Sequence, residues 1–402
     1  MSNRNKKKLP EQVYGRKVWI LVKWLRLFIF WQMLKLNRSP LKSIRELQRL
    51  KKLRSTVHGN QRITKFVRSG KFYYWVTDFP GLPSTNLKKL IELEFARDEG
   101  YAGQKNKEIT PQQTIIWGIT NRCSLNCTHC YDWDNIDNKD HLSLEQLKLI
   151  LKKIEEQGIR HVQLSGGEPL VRFDDMISIL NEASERIDFW LLTSGFGLTD
   201  NKARALKKAG LIGANISLDH WDEGKHNQFR NNDKSYEWVM KAAENCRKAG
   251  ILVSLSLCAT REFTTEENLQ KYGELAKDMG AHFIRILEAR QVGRFSDKRV
   301  RLGKEQIELI NNFTIQMNNN QEFREFPIVV FFGYHQRKLG CMGAGNRYLY
   351  IDANGDFHAC PFCRGRKGNA LVDSFNSSIE KLREEGCQAF KTVTVGEEFE
   401  RV

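Results

Sequence analysis

From residue 114 onward, short apolar runs alternate with longer segments in which apolar residues recur at helical spacing. The runs are TIIWGIT from Thr114, HVQLS from His161, DFWLLTS from Asp188, GANISLD from Gly213, ILVSLSL from Ile251 and HFIRILE from His282. Between them the spacing predicts helices over 143–157, 173–185, 199–209, 235–249 and 265–279. Six strands with five intervening helices predict an α/β fold built on a parallel sheet, curled or open. Ligands of such sheets gather at the carboxyl ends of the strands, and the distinctive residues fall there. Cys123, Cys127 and Cys130 follow the first strand, Gly166-Gly167-Glu168-Pro169 the second, Thr193-Ser194-Gly195 the third and Asp219-His220 the fourth, with Cys258 ending the fifth.

The flanking pattern is less regular. RITKFVRSGKFYYWVTDFPGLP, residues 62–83, reads as two strands around Ser69-Gly70 closed by a Pro/Gly-rich turn, a connecting element without evident chemistry. Past residue 300 come a helical stretch to Asn320, a short strand near Ile328–Phe332, and RYLYIDANGDFHAC, a hairpin turning at Asn354-Gly355. The organisation expected is an arm over 1–58, a connecting hairpin and linker over 59–112, the strand–helix body over 113–300 and a smaller unit over 301–402.

The net charge of +16 points toward nucleic acid until it is located. Residues 1–70 hold nineteen Lys and Arg against Glu11 and Glu46, so the remaining chain is nearly neutral. The same arm carries KVWILVKWLRLFIFWQMLKLNR, residues 17–38. A spanning helix needs about 20 apolar residues; the stretch from Val18 to Leu34 is short, and Lys23 and Arg26 at its middle cost roughly 2.5–3.5 kcal/mol each. Both flanks are basic, and no small-residue cleavage site follows. The reading adopted is an amphipathic helix on an anionic membrane surface, continued by Leu41, Ile44, Leu47, Leu50 and Leu53 along one helical face. A helix docked on the protein's own body, or on a partner, is the competing reading. Nucleic acid is not an expected partner.

Nine cysteines are too few for a disulfide scaffold, and their tight spacing suits metal in a reducing compartment. Three neighbouring thiolates can hold three irons of a cubane cluster and leave the fourth open for a ligand. A zinc site completed by His129 is the alternative, with His129 adjacent in sequence to Cys130.

The spacing Cys123-x3-Cys127-x2-Cys130 after the first strand, with Gly166-Gly167-Glu168-Pro169 after the second, resembles the radical S-adenosylmethionine (SAM) superfamily. That resemblance implies a partial (β/α)6 TIM-like barrel and a [4Fe–4S] cluster on Cys123, Cys127 and Cys130. SAM would be bound at the open iron and cleaved to a 5′-deoxyadenosyl radical that removes hydrogen from substrate. It places His129 near the adenine and Gly166, Gly167, Glu168 and Pro169 around the methionine end, with Ser194, Ser217 and Asp219 near the ribose and carboxylate. HNQFRNND, residues 226–233, resembles a loop of peptide-maturing members that commonly reads His-Asp-x-x-Arg-Gly. Asn227 and Asn231 depart from it, and Arg230 reads equally well as a solvated loop arginine.

Cys341, Cys360, Cys363 and Cys387 resemble the SPASM and Twitch auxiliary-cluster extensions, with Gly355 and Cys360 matching their Gly-x4-Cys. Four thiols rather than seven imply one auxiliary [4Fe–4S] cluster; a structural zinc knuckle is the competing reading. Cys246 and Cys258 read as core residues, the latter with hydrogen-atom donation as the alternative. The expectation is an oxidoreductase-type radical SAM enzyme, cytoplasmic and attached to the inner face of the membrane. It would be reduced by a donor such as flavodoxin or ferredoxin and act on a peptide or a membrane-associated lipid. An iron–sulfur electron-transfer or redox-sensing protein without SAM turnover is the alternative class.

Overall fold

The computed structural model describes residues 9–58, 62–95, 114–137 and 139–386. In chain order the first elements are β1 (Glu11–Tyr14), α1 (Arg16–Asn37), α2 (Pro40–His58), β2 (Lys65–Ser69), β3 (Phe72–Tyr74) and α3 (Thr85–Phe95). The body follows as β4 (Thr114–Gly118), α4 (Leu144–Glu156), β5 (His161–Ser165), α5 (Phe173–Ala183), β6 (Asp188–Thr193), α6 (Asp200–Lys208), β7 (Gly213–Ser217), α7 (Glu223–Arg230), α8 (Ser235–Ala249), β8 (Leu252–Ala259), α9 (Glu266–Asp278) and β9 (Phe283–Glu288). The chain then runs through α10 (Lys304–Asn319), β10 (Ile328–Phe331), α11 (Phe332–Leu339), β11 (Tyr348–Ile351), β12 (Phe357–His358) and α12 (Phe375–Glu385).

All six expected strands form, as β4 through β9, each parallel to the next. Every residue of β4 and β5 is buried, the signature of a parallel sheet covered on both faces. The covering helices start where local chemistry stops the strand pattern. Ser143 caps α4 in a reciprocal capping box with Gln146, and Thr199 and Thr265 cap α6 and α9 through their hydroxyls. In α4, Leu147, Ile150, Leu151 and Ile154 turn to the sheet, and Cys246 is fully buried in α8.

The sheet is wider than six strands. Its order is β10-β9-β8-β7-β6-β5-β4-β11-β12, with β10 parallel to β9 and β11 parallel to β4. The segment past residue 300 therefore extends both edges of the barrel sheet, by β10 on one side and by β11 and β12 on the other, and the boundary expected at 300 cuts through one hydrogen-bonded layer. The hairpin β11–β12 forms around Asn354-Gly355 as expected, with the Asp352 carboxylate accepting from the Asn354 and Asp356 amides.

The N-terminal region corrects the picture of a free arm and a linker. β1, β2 and β3 make a three-stranded antiparallel sheet, and α3 was not anticipated. Alternation along this sheet sorts its two faces. Val67 and Tyr74 pack on Trp190, Leu252, Phe283 and Ile328 of the barrel. Phe66 and Tyr73 face Val18 and Leu21 of α1. The layer order is thus α1, small sheet, barrel.

Polar contacts fix which end of the barrel is covered. The Lys65 ammonium donates to the Met317 and Phe326 carbonyls at 2.7 and 2.9 Å, Gln12 donates to Phe326 O at 2.7 Å, and Asn86 donates to Asp188 at 2.6 Å. His161 Nε2 meets Thr77 O at 3.0 Å. His161 and Asp188 open β5 and β6, so the small sheet and the segment after it close the end where strands begin, while α2 packs against α11 beyond the end of β10.

Candidate active site

The triple-cysteine loop leaves β4 at the opposite end and is fastened on several sides. Thr128 donates to Phe229 O through both its amide and its hydroxyl, each at 3.0 Å, and Arg294 N donates to Cys130 O at 3.1 Å. Cys127 is buried while Cys123 and Cys130 are half-buried. Burial pushes the Cys123 thiol up to about 12 and that of Cys130 up to about 11, so iron binding, which requires thiolates, releases those protons.

Gly166 and Gly167 have a structural duty that the sequence did not disclose. Gly167 N donates to Thr120 O and Glu168 N to Arg122 O, both at 2.8 Å, which extends the β4–β5 ladder into the stem of the cysteine loop. A Cβ on Gly166 (φ 133°) would lie 2.3 Å from Thr120 O, and one on Gly167 2.3 Å from Arg122 O. Only glycine permits that approach.

Glu168 is committed as well. Its Oε1 accepts from Thr193 Oγ1 at 2.7 Å and Leu170 N at 3.2 Å, and its Oε2 accepts from Ser194 N and Oγ at 2.9 and 2.6 Å. Four donors fill the roughly four acceptor positions of a carboxylate. Burial raises its pKa while the Ser194 and Thr193 hydrogen bonds oppose the rise. Glu168 and Ser194 thus tie the end of β6 to the turn after β5, and Pro169 lies buried at the start of the short turn that follows.

Arg230 is the functional-site residue that the sequence left undecided. Residues 223–230 are not loop but α7, capped by Asp222 and ended by Asn231 in the left-handed conformation (φ 51°). Arg230 is buried, with Nε 2.6 Å from Asp219 Oδ2 and Nη1 3.7 Å from Cys127 Sγ. Asp219 Oδ1 accepts from Cys258 N at 3.0 Å. Burial alone would raise the Asp219 carboxyl, but Arg230 brings it below the usual range. A guanidinium beside a ligand thiol complements the negative charge of a thiolate-bound cluster. His129 stacks on Phe229 at 4.4 Å and is held neutral, its pKa pushed down to about 3 by burial and then by Arg230.

A cavity of ≈ 920 Å³ runs through the barrel and collects most of these groups. Cys123, Cys127, Cys130, His129, Gly166, Gly167, Glu168, Ser194, Ser217, Asp219, Arg230 and Cys258 all line it, and so do Cys341, Cys360 and Cys363. Asn215, on β7, is buried with neither amide atom partnered among the described residues, an unmet polar group facing the same space. Cys387 lies outside the described residues. The auxiliary segment is bound to the first cysteine loop: Arg364 reaches Asp132 at 2.6 Å, Asp134 at 2.8 Å and Tyr131 O at 3.2 Å, and Phe362 packs edge-on against Tyr131 at 5.6 Å.

Among the described residues no three His, Cys, Asp or Glu side chains converge on a point that would hold a single metal ion. Three cysteines lining one glycine-walled cavity, with a guanidinium beside Cys127, fit a cluster with an open position, and the unpartnered Asn215 fits a ligand seated beside it.

A parallel partial barrel carries the cysteine triad beyond the end of its first strand, with the cavity inside it. Residues 117–279 match the Radical SAM superfamily. Mycofactocin maturase MftC of Mycolicibacterium smegmatis is 27% identical over 268 residues, 64% of this chain and 67% of that protein. Pre-heme d1 synthase of Dinoroseobacter shibae is 29% identical over 192 residues, 47% of this chain and 46% of that one, so the match spans less than half of that relative. Among solved structures, Streptococcus suis SuiB bound to precursor peptide SuiA superposes with a TM-score of 0.56 at 15% identity, covering 77% of this chain and 73% of that one, a likeness of fold. Residues 117–279 thus carry a radical SAM domain, the relatives that the chain resembles are enzymes, and the family of that domain works with a [4Fe–4S] cluster and SAM. The alternative of an iron–sulfur protein without SAM turnover is not favoured. Among the described residues no helix is long and apolar enough to cross a membrane.

Proposed function

We propose that the chain is a peptide-modifying radical SAM enzyme with one auxiliary [4Fe–4S] cluster. Cys123, Cys127 and Cys130 hold the SAM-cleaving cluster, and Cys341, Cys360, Cys363 and Cys387 the auxiliary one. When bound, the first cluster and SAM supply a 5′-deoxyadenosyl radical for hydrogen abstraction. Arg230 and Asp219 hold charge beside Cys127, while Glu168, Thr193 and Ser194 brace the turn that faces the ligand. Asn215 offers an amide to whatever occupies the lumen. A small one-electron donor such as flavodoxin or ferredoxin reduces the cluster.

The observation that carries this reading is that both cysteine groups open into one ≈ 920 Å³ cavity. That volume is at the upper end for small-ligand sites, which run to about 1,000 Å³, and leaves room for substrate beside SAM. Support for a peptide comes from the name of the maturase relative and from the peptide-bound SuiB structure. The reading extends to location: a cytoplasmic enzyme lying on the inner face of the membrane through α1. Co-expression with short peptides encoded beside its gene, followed by mass spectrometry, tests the substrate class. A peptide mass change dependent on Cys127 supports the proposal; a protein that cleaves SAM yet alters no such peptide contradicts it.

A further inference from the structure

We infer that α1 seats the enzyme on an anionic bilayer with its cysteine-bearing end turned away, so that substrate enters from the aqueous side. The inference rests on the membrane attachment proposed above and adds its orientation. Val18, Leu21, Leu25 and Met33 turn inward and are buried, yet the outward side of the same helix is equally apolar. Trp19, Ile20, Leu27 and Trp31 are 61%, 58%, 56% and 56% exposed. On a repeat of about 3.6 residues, Ile20, Leu27 and Trp31 share one stripe, with Lys23 along one edge and Lys17 and Lys35 along the other. Lys23 Nζ lies 3.5 Å from the centre of the Trp19 ring.

The chemistry of this face selects its partner. Residues 16–58 carry twelve Lys and Arg and a single acid, Glu46. Indole rings with basic side chains at their margins suit the boundary between acyl chains and anionic headgroups, where the ring is buried and the cation stays with phosphate.

Position then fixes orientation. Phe66 and Tyr73 meet α1 on one side of the small sheet, and Val67 and Tyr74 meet the barrel on the other. That sheet covers the end where the strands begin, and the cysteine loops leave the end where they finish. An interfacial helix sinks only about 5–10 Å into the boundary. A five-residue strand alone spans roughly 17 Å, so the cysteine loops beyond the strand ends stand clear of the acyl chains. A water-borne peptide is the substrate class that fits a reaction centre so placed.

The protein carries its own reporters: Trp19, Trp24 and Trp31 on α1, and Trp133, 47% exposed, at the cysteine end. The full-length, cluster-loaded enzyme is mixed anaerobically with phosphatidylglycerol-containing vesicles whose acyl chains are brominated. Co-sedimentation and quenching of tryptophan fluorescence are then measured. The expected result is binding with quenching that falls by more than half in the Trp19→Phe/Trp24→Phe/Trp31→Phe variant and is unchanged by Trp133→Phe. Phenylalanine keeps the apolar face, so binding itself persists in both. Quenching that disappears with Trp133→Phe overturns the orientation while leaving attachment intact. Failure to co-sediment overturns the attachment, and the orientation with it.

Discussion

Gly167→Ala tests whether the glycine pair holds the cysteine loop in place. The new Cβ would sit 2.3 Å from Arg122 O and 2.7 Å from the Arg122 carbonyl carbon, where ordinary contact begins at 3.4 Å, so the two backbones must part by about 1 Å. Both are main chain and neither can swing aside. Parting stretches the two 2.8 Å bonds, Gly167 N to Thr120 O and Glu168 N to Arg122 O, beyond hydrogen-bond range. Overpacking contributes about 1–3 kcal/mol and two lost backbone bonds about 1 kcal/mol each, a destabilisation of roughly 3–5 kcal/mol. A 1 Å displacement of the cysteine loop stem lowers a positioned reaction by about 100-fold. The assay pairs iron content with 5′-deoxyadenosine formation under anaerobic conditions, beside Gly224→Ala as control. Gly224 lies in α7 with its nearest neighbour, Asp222 Oδ1, 3.4 Å from an added Cβ. The control is expected to match wild type. A Gly167→Ala enzyme with wild-type stability and rate would refute the argument.

Three further predictions follow from other parts of the molecule. Arg230→Ala leaves Asp219 buried without its cation and is expected to destabilise the fold by about 3–5 kcal/mol; chemical denaturation of Arg230→Ala and of Arg230→Ala/Asp219→Asn, the latter less affected, checks it. At the closed end of the barrel, burial raises Asp188 to about 6 against the opposing Asn86 hydrogen bond, so its share of stability is full below about pH 4 and is lost as pH rises through 6. Asp188→Asn should therefore gain on wild type by roughly 3 kcal/mol at pH 7.5 and by nothing near pH 4, read from denaturation midpoints at the two pH values. Replacing Cys360 and Cys363 by serine should lower iron from about eight to about four per chain while 5′-deoxyadenosine formation persists; unchanged iron would contradict the auxiliary-cluster reading.

The barrel strands and their helices were legible because each repeats a short local pattern, and the two cysteine groups because few chemistries need such spacing. The rest depended on contacts between distant residues. α1 is apolar on its docked and its outward face alike, so a sequence pattern could not tell attachment to the body from attachment to a surface; the structure docks one face on the body and leaves the other exposed. β1 has four residues and no periodicity, and becomes a strand only because β2 lies alongside. α7 is short and polar and is followed by Asn231 and Asn232, which reads as loop. Its charged end, Arg230, is buried by Asp219 and Cys127, a partnership set by tertiary structure and invisible in HNQFRNND. The outer strands β10 and β11 could be seen as strands, but not as extensions of a sheet begun more than two hundred residues earlier.

The most direct test of the central claim is product analysis after anaerobic reconstitution with iron and sulfide, using SAM and dithionite, for wild type and Cys127→Ala. Wild-type protein is expected to yield 5′-deoxyadenosine and methionine, and Cys127→Ala to yield neither. A fully iron-loaded wild-type enzyme that leaves SAM intact would contradict the account.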